Sequence, residues 1–503
     1  MTSAWGGGYV TDIEYTTGYF PAQSPQMLAL ACLIDGIAVD PPWEAGRMHY
    51  LELGCGRGMN ACVVAAANPG WQVTAIDFMP GAIAEARALA ATAGLDNVTF
   101  IEADLSVFAE TPAAAALPMA DIVSSHGVWS WVGDPVRAGI VRLLAAKLRA
   151  GGIFHVSYNA LPAQQALLAV QRMLREAGRR LAARSDRQVI AGRELVKELA
   201  AADALHFTST EIVRDLIGRF DNLPVAYLAH EYMNEHWRPC YHADVAGDLA
   251  AAKLDFACTA RLVDNFVELI LTPEQRAIHD RFDDPLMRQL VIDTCINRTL
   301  RHDIYVRGAR RLSTDARNAA LAKVRLALVA APDGFVYALK VPAGEATVSD
   351  SYRPMVAALA VGPRSIGELA ALRGPHAPAA NLGELAMVMA GTHQALVVRD
   401  PAPHPDARQH RFNAAIARRD VRLDNLNASI VLASQRTGAG VLVRAGEALL
   451  IARIGAAGAL PDPTALAIEL LPGAEDAQRE EMSSVMARVM NERLAIWRGL
   501  GLV

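Results

Sequence analysis

Leu51-Glu52-Leu53-Gly54-Cys55-Gly56-Arg57-Gly58 sets three glycines at alternate positions directly after an apolar run. Glycine tolerates positive φ and lets the backbone approach a bound molecule closely, so this loop suits a ligand cradle. Met59 stands where a GxGxxG fingerprint would have its last glycine, so the spacing is GxGxG. Glu52, two residues before the first glycine, is poorly suited to a pyrophosphate and well suited to a cationic or amino-acid-bearing ligand. A glycine triplet can also be a plain turn, and its acidic neighbours decide between the two. Asp77 ends the second apolar run, where a carboxylate can accept from both hydroxyls of a ribose. Asp104 ends the third, placed to accept from an exocyclic amine or to cap a helix.

A second group lies at and just beyond the ends of the fourth and fifth runs. His126 can accept a proton from an amine or hydroxyl, because its ordinary pKa is near 6.5. Trp129 and Trp131 can form an aromatic wall for a cation or plug a domain interface. Tyr158 can contact an acceptor amine or serve structure alone. His230 and His236 lie six apart, not the four that would put both on one helical face, and no metal is expected.

The elements that must position these residues are legible as alternation. Apolar runs at Met48–Cys55, Trp71–Asp77, Val98–Asp104, Ala120–Gly127 and Gly152–Asn159 are separated by helix-like stretches such as Pro80–Ala93 and Asp134–Arg149. The pattern predicts βαβ units and a doubly wound, mostly parallel α/β sheet whose ligand sits at the carboxyl ends of its strands. Residues 22–37 read as an amphipathic helix leading into it. Three domains are expected: residues 1–165, a mainly helical middle domain over 166–332, and a mixed α+β C-terminal domain over 333–503. Tyr352–Leu372 could belong to a winged-helix-like module, and Glu475–Arg498 closes the chain as a long helix.

These motifs resemble the class I S-adenosylmethionine-dependent methyltransferases over about residues 48–160. The resemblance implies a Rossmann-like fold with S-adenosylmethionine as methyl donor. Glu52, Gly54 and Gly56 would hold its methionine part, Asp77 its ribose and Asp104 its adenine amine. Cys55, Phe78, Leu105, Tyr19 and His126 would complete the donor site, and His126, Trp129 and Tyr158 would face the acceptor. A narrower likeness rests on Gly8-Tyr9-Val10, Tyr15, Tyr19-Phe20, Ser125–Val132, Val156–Pro162, His230-Glu231-Tyr232 and Arg301–Gly308. Together these are similar to methyltransferases carrying a methyltransferase regulatory domain, a group that includes rickettsial protein lysine methyltransferases. It implies a tyrosine-rich lid, a protein lysine amine as acceptor and possible dimerisation through the middle domain. A small-molecule N- or O-methyltransferase and a non-catalytic S-adenosylmethionine sensor stand as alternatives.

Composition bounds the rest. The chain has 503 residues, 52% hydrophobic and 20% charged, with a net charge of -5. That excludes general disorder and gives no global pull toward nucleic acid or an anionic membrane. The basic run Arg301–Arg325 is diluted by Asp303 and Asp315 and is expected to be a solvated helical face or a domain contact. No nucleic-acid partner is expected. Six cysteines show no CxxC spacing, and no secretory signal or 18-residue apolar span is evident, so a cytoplasmic setting without membrane insertion is expected.

Overall fold

The computed structural model describes residues 4–14, 18–372, 381–401, 403 and 405–503; Tyr15 lies outside them. A seven-stranded sheet organises the chain. Its strands are β1 (His49–Leu53), β2 (Gln72–Asp77), β3 (Val98–Glu102), β4 (Ala120–Ser125), β5 (Leu148–Asn159), β6 (Leu254–Thr259) and β7 (Leu300–Arg307), in the order β3-β2-β1-β4-β5-β7-β6. β1 to β5 are parallel, and β7 runs antiparallel to both β5 and β6. β1 is buried at every position, as expected of a central strand covered on both faces.

The first five strands fall on the five apolar runs, and Pro80–Ala93 forms a helix with those bounds. The last two strands depart from expectation. A boundary at residue 165 divides this sheet, because β6 and β7 arise from the segment expected to be mainly helical. Between β5 and β6 the chain inserts helices at Leu168–Gly178, Ser185–Ala201, Glu211–Arg219, Val225–Tyr232 and His242–Ala250. Leu174, Val189, Val213, Phe220 and Leu228 make a separate core there, and Val10 joins it from the N-terminus.

The helix expected over 22–37 spans Pro25–Ile34 and is buried on every side. It is not amphipathic in place, because it lies between the sheet and the helix Thr314–Lys323. Arg301–Arg325 is not one solvated face either. Arg301 is buried on β7, pairing with Asp303 and Asp293, and Arg307 donates to the carbonyl of Leu148 from the same strand. The C-terminal part adds a three-stranded sheet of Arg364–Ser365, Arg325–Leu328 and Ala395–Val398, a hairpin of Ser429–Ser434 with Ala439–Arg444, and the helix Asp476–Gly499. That hairpin packs on the helix Met59–Ala67 that follows the glycine loop.

Candidate active site

β1 runs into the glycine loop, where Gly54, Gly56 and Gly58 have φ of 74°, 51° and 73°. All three occupy the left-handed region that side chains other than glycine resist. A Cβ on Gly54 would meet Val128 Cγ2 at 2.2 Å, and one on Gly58 would meet Ala86 Cβ at 2.5 Å. One on Gly56 would meet nothing within 4 Å, so this peptide faces open space. Gly56 N–H donates to Asp77 Oδ2 at 2.7 Å and Met79 N–H to Oδ1 at 2.9 Å, locking the ends of β1 and β2 together.

Glu52 sits beneath the loop, 3% exposed, and accepts from Gln23 Nε2 at 3.3 Å. Its Oε2 has no hydrogen-bond partner among the described residues. Burial pushes its carboxyl up to about 8, against the pull of the Asn60 and Gln23 amides. Asp77 is also raised by burial, opposed by the N–H groups it accepts from. Asp104 Oδ1 accepts from Ser106 N–H at 2.8 Å, capping a short helix.

A cavity of about 950 Å³ opens over these strand ends. Glu52, Gly54, Cys55, Gly56, Asp77, Phe78, Asp104, Leu105 and His126 all line it. Three expected site residues do not. Trp129 is fully buried in the core on one face of the sheet, its carbonyl held by Arg137, while Val128 and Trp131 line the cavity instead. Tyr158 is also in that core, donating to Asp303 Oδ2 at 2.5 Å. Strand alternation explains it: Ser157 and Asn159 reach the cavity and Tyr158 faces away. Tyr19, in an irregular segment, also points away: Gly18 and Phe20 line the cavity while its hydroxyl accepts from Gly440 N–H at 3.0 Å.

The roof comes from two segments. Trp5 and Tyr9 pack edge-on against Phe78, and the inserted helices contribute Leu216, Tyr227, His230 and Glu231. In the sequence Glu231 stands out only as a member of the His230-Glu231-Tyr232 motif. Its Oε1 accepts from Asn159 Nδ2 at 3.1 Å and Trp237 Nε1 at 3.2 Å. Burial raises its carboxyl, and these donors and the Trp131 indole hold it down in part. His126 packs on Phe20, ring centroids 4.0 Å apart, and Ser157 Oγ lies 2.9 Å from its Nδ1. Burial and the neighbouring His302 lower His126 to about 3, so it stands neutral.

Comparison with known proteins places this geometry. Residues 51–154 match a family described as a methyltransferase domain, and residues 224–307 match a predicted methyltransferase regulatory domain. An uncharacterized protein of Synechocystis is 31% identical over 460 residues, covering 89% of this chain and 87% of its own. The chain belongs to the class I S-adenosylmethionine-dependent methyltransferases that carry a regulatory domain. It matches an uncharacterized protein of Rickettsia prowazekii at 26% identity over 227 residues, which are 44% of this chain and 39% of that one. In fold, the methyltransferase superposes on PKMT2 from Rickettsia typhi in complex with AdoHcy with a TM-score of 0.73, at 15% identity, covering 97% and 100% of the two chains. The donor is S-adenosylmethionine. The cavity fits it: the Gly56 peptide faces open space, and the orphaned oxygen of Glu52 can accept from an amino group. No helix among the described residues is long and apolar enough to cross a membrane.

Proposed function

We propose that this methyltransferase acts on the side-chain amine of a protein lysine. In this reading Glu52, Gly54, Cys55, Gly56, Asp77, Phe78, Asp104 and Leu105 hold the donor, and His126 borders the reacting centre. Glu231, with Trp131 and Tyr227, receives the ammonium end of the acceptor. The observation that carries the reading is the cavity's continuation from the glycine loop to a carboxylate held by the indole N–H of Trp237. A carboxylate attracts an ammonium ion, and aromatic faces beside it favour a cation further. S-adenosylmethionine supplies an electrophilic methyl on its sulfonium. The chain contributes alignment and water exclusion, for which the roof of Trp5, Tyr9 and the inserted helices is suited. The likeness to PKMT2 supports the same acceptor class. All six cysteines are free thiols, which agrees with a cytoplasmic setting.

Incubation with methyl-labelled S-adenosylmethionine and fractionated cell extract tests the reading. Protease-sensitive label on lysine, lost in Asp77→Ala, is expected. Label confined to small molecules would overturn the acceptor assignment in favour of a biosynthetic N- or O-methyltransferase, which the double roof also suits. Donor binding without label in any fraction would point to a sensor. Glu231→Gln is expected to lower kcat/KM for a lysine peptide by about tenfold while leaving donor affinity unchanged.

A further inference from the structure

Three histidines, two on strands and one just past the end of a third, meet beside the cavity. β4 pairs with β5 so that Ser124 stands opposite His155, and β5 pairs with β7 so that Ser157 stands opposite His302. Alternation therefore puts Ser124, His155, Ser157 and His302 on one face of the sheet, and His126 follows just past the end of β4. Their rings lie within 13° of parallel, with centroid separations of 5.4 Å for His126–His302, 5.7 Å for His155–His302 and 6.3 Å for His126–His155. A column of three rings would separate its ends by the sum of two steps. These separations make a nearly equilateral triangle instead.

We propose that His126, His155 and His302 form a binding site for a divalent cation of the zinc class. One ring nitrogen from each lies within 4.8 Å of the others, the only such group among the described residues. Three imidazoles around one ion at a metal–nitrogen distance of about 2.1 Å would have centroids roughly 5.3 Å apart at the tetrahedral angle and roughly 5.6 Å apart in a flattened site, near the separations seen. The remaining nitrogens are arranged to match. His155 Nδ1 lies 2.9 Å from Ser124 Oγ and His126 Nδ1 lies 2.9 Å from Ser157 Oγ. Those contacts orient both rings and leave their Nε2 atoms for a ligand, the usual role of a metal ligand's outer partner. His155 Nε2 and His302 Nδ1 are buried with no hydrogen-bond partner among the described residues. Leaving two such nitrogens unpaired is costly, and a borderline cation such as Zn2+ on neutral imidazoles removes that cost. Three protein ligands leave a fourth position, and His126 lines the cavity, so that position is open to a molecule bound there.

Metal-stripped full-length protein titrated with Co2+ gives the test, with Zn2+ affinity read by competition with a chromophoric chelator. One site per chain is expected, with the visible absorption of four-coordinate nitrogen-bound cobalt, bleached by one equivalent of Zn2+. His155→Ala and His302→Asn should each weaken it at least about tenfold, and Ser124→Ala by about 10-fold or more. His206→Ala, on the far helices, should not. Circular dichroism separates loss of the site from loss of fold, and His126→Asn, at the cavity wall, gives a variant outside the core. Failure of the wild-type chain to take up one equivalent of either ion, or uptake that survives both His155 and His302 substitutions, overturns the proposal. Donor calorimetry on the same samples reports separately on the methyltransferase reading.

Discussion

Gly56 donates its backbone N–H to Asp77 Oδ2 at 2.7 Å, so the loop that faces the donor cavity is fastened by the carboxylate expected to hold the donor's ribose. One residue thus shapes the loop and offers lone pairs to a ligand. Asp77→Ala removes both functions and leaves the N–H groups of Gly56 and Met79 without their acceptor. Donor affinity in calorimetry should fall at least about 100-fold, and stability by about 1–3 kcal/mol. Asp77→Asn keeps one acceptor oxygen and should be milder on both counts.

Gly54 and Gly56 should respond differently to the same added methyl. Both pay for a positive φ, about 1 kcal/mol or more for alanine. At Gly54 the new Cβ also collides with Val128 Cγ2, so Gly54→Ala should be the less stable variant in urea unfolding. Val128→Ala should recover part of that loss and none of the loss in Gly56→Ala. Gly56→Ala should mainly weaken donor binding, because its Cβ projects into open space.

Glu52 gives donor binding a pH dependence with a definite sign. Burial raises its carboxyl to about 8, so at pH 7 the free protein holds this proton. In the proposed site, pairing with the donor's amino group requires the carboxylate, so binding should release close to one proton at pH 7. Affinity should rise about tenfold from pH 6 to pH 7 and level off above about 8. Calorimetry in buffers of different ionisation enthalpy measures the proton count directly. For the free protein the sign is opposite: the contribution of Glu52 to stability is fully present below its unfolded pKa and is lost as pH rises through about 8.

Arg301 is 2% exposed and pairs with Asp303 at 2.8 Å and Asp293 at 2.7 Å. Burial alone would raise Asp303, yet Arg301 and His242 hold its carboxyl below the usual range. Arg301→Met should cost about 3–5 kcal/mol in denaturant unfolding, because it strands buried carboxylates. The Asp303 contribution is present above the unfolded carboxyl pKa and is lost as pH falls through its lower folded value. Acid unfolding of the wild-type chain should therefore set in at lower pH than that of Arg301→Met.

Sequence and structure agree most closely where local pattern suffices. The five runs before residue 160 carry both their own strand signal and the glycine loop, and Glu52, Asp77 and Asp104 fall at strand ends because that is where such loops begin. β6 and β7 were hidden because helices separate them from β5 and their partners lie far along the chain. Trp129, Tyr158 and Tyr19 show a finer limit. Each is next to or near cavity residues; for Tyr158 the strand's phase decides which way it faces, and for Trp129 and Tyr19 the path of an irregular segment does. Glu231 was readable as a motif member, while its indole and amide donors come from segments that only the fold brings together. The three histidines have no shared spacing, since β4, β5 and β7 bring them together by register alone.

The hold of Gly440 on Tyr19 has a temporal consequence. Tyr19 is made well before its partner, which emerges 421 positions later. A nascent chain can complete the sheet and the glycine loop long before this fastening exists. Phe20, which covers His126, is the next residue along, so the strap across the cavity gains its anchor only after residue 440 has left the ribosome. A product cut short before residue 440 would carry the donor loop without the backbone contact that holds Tyr19.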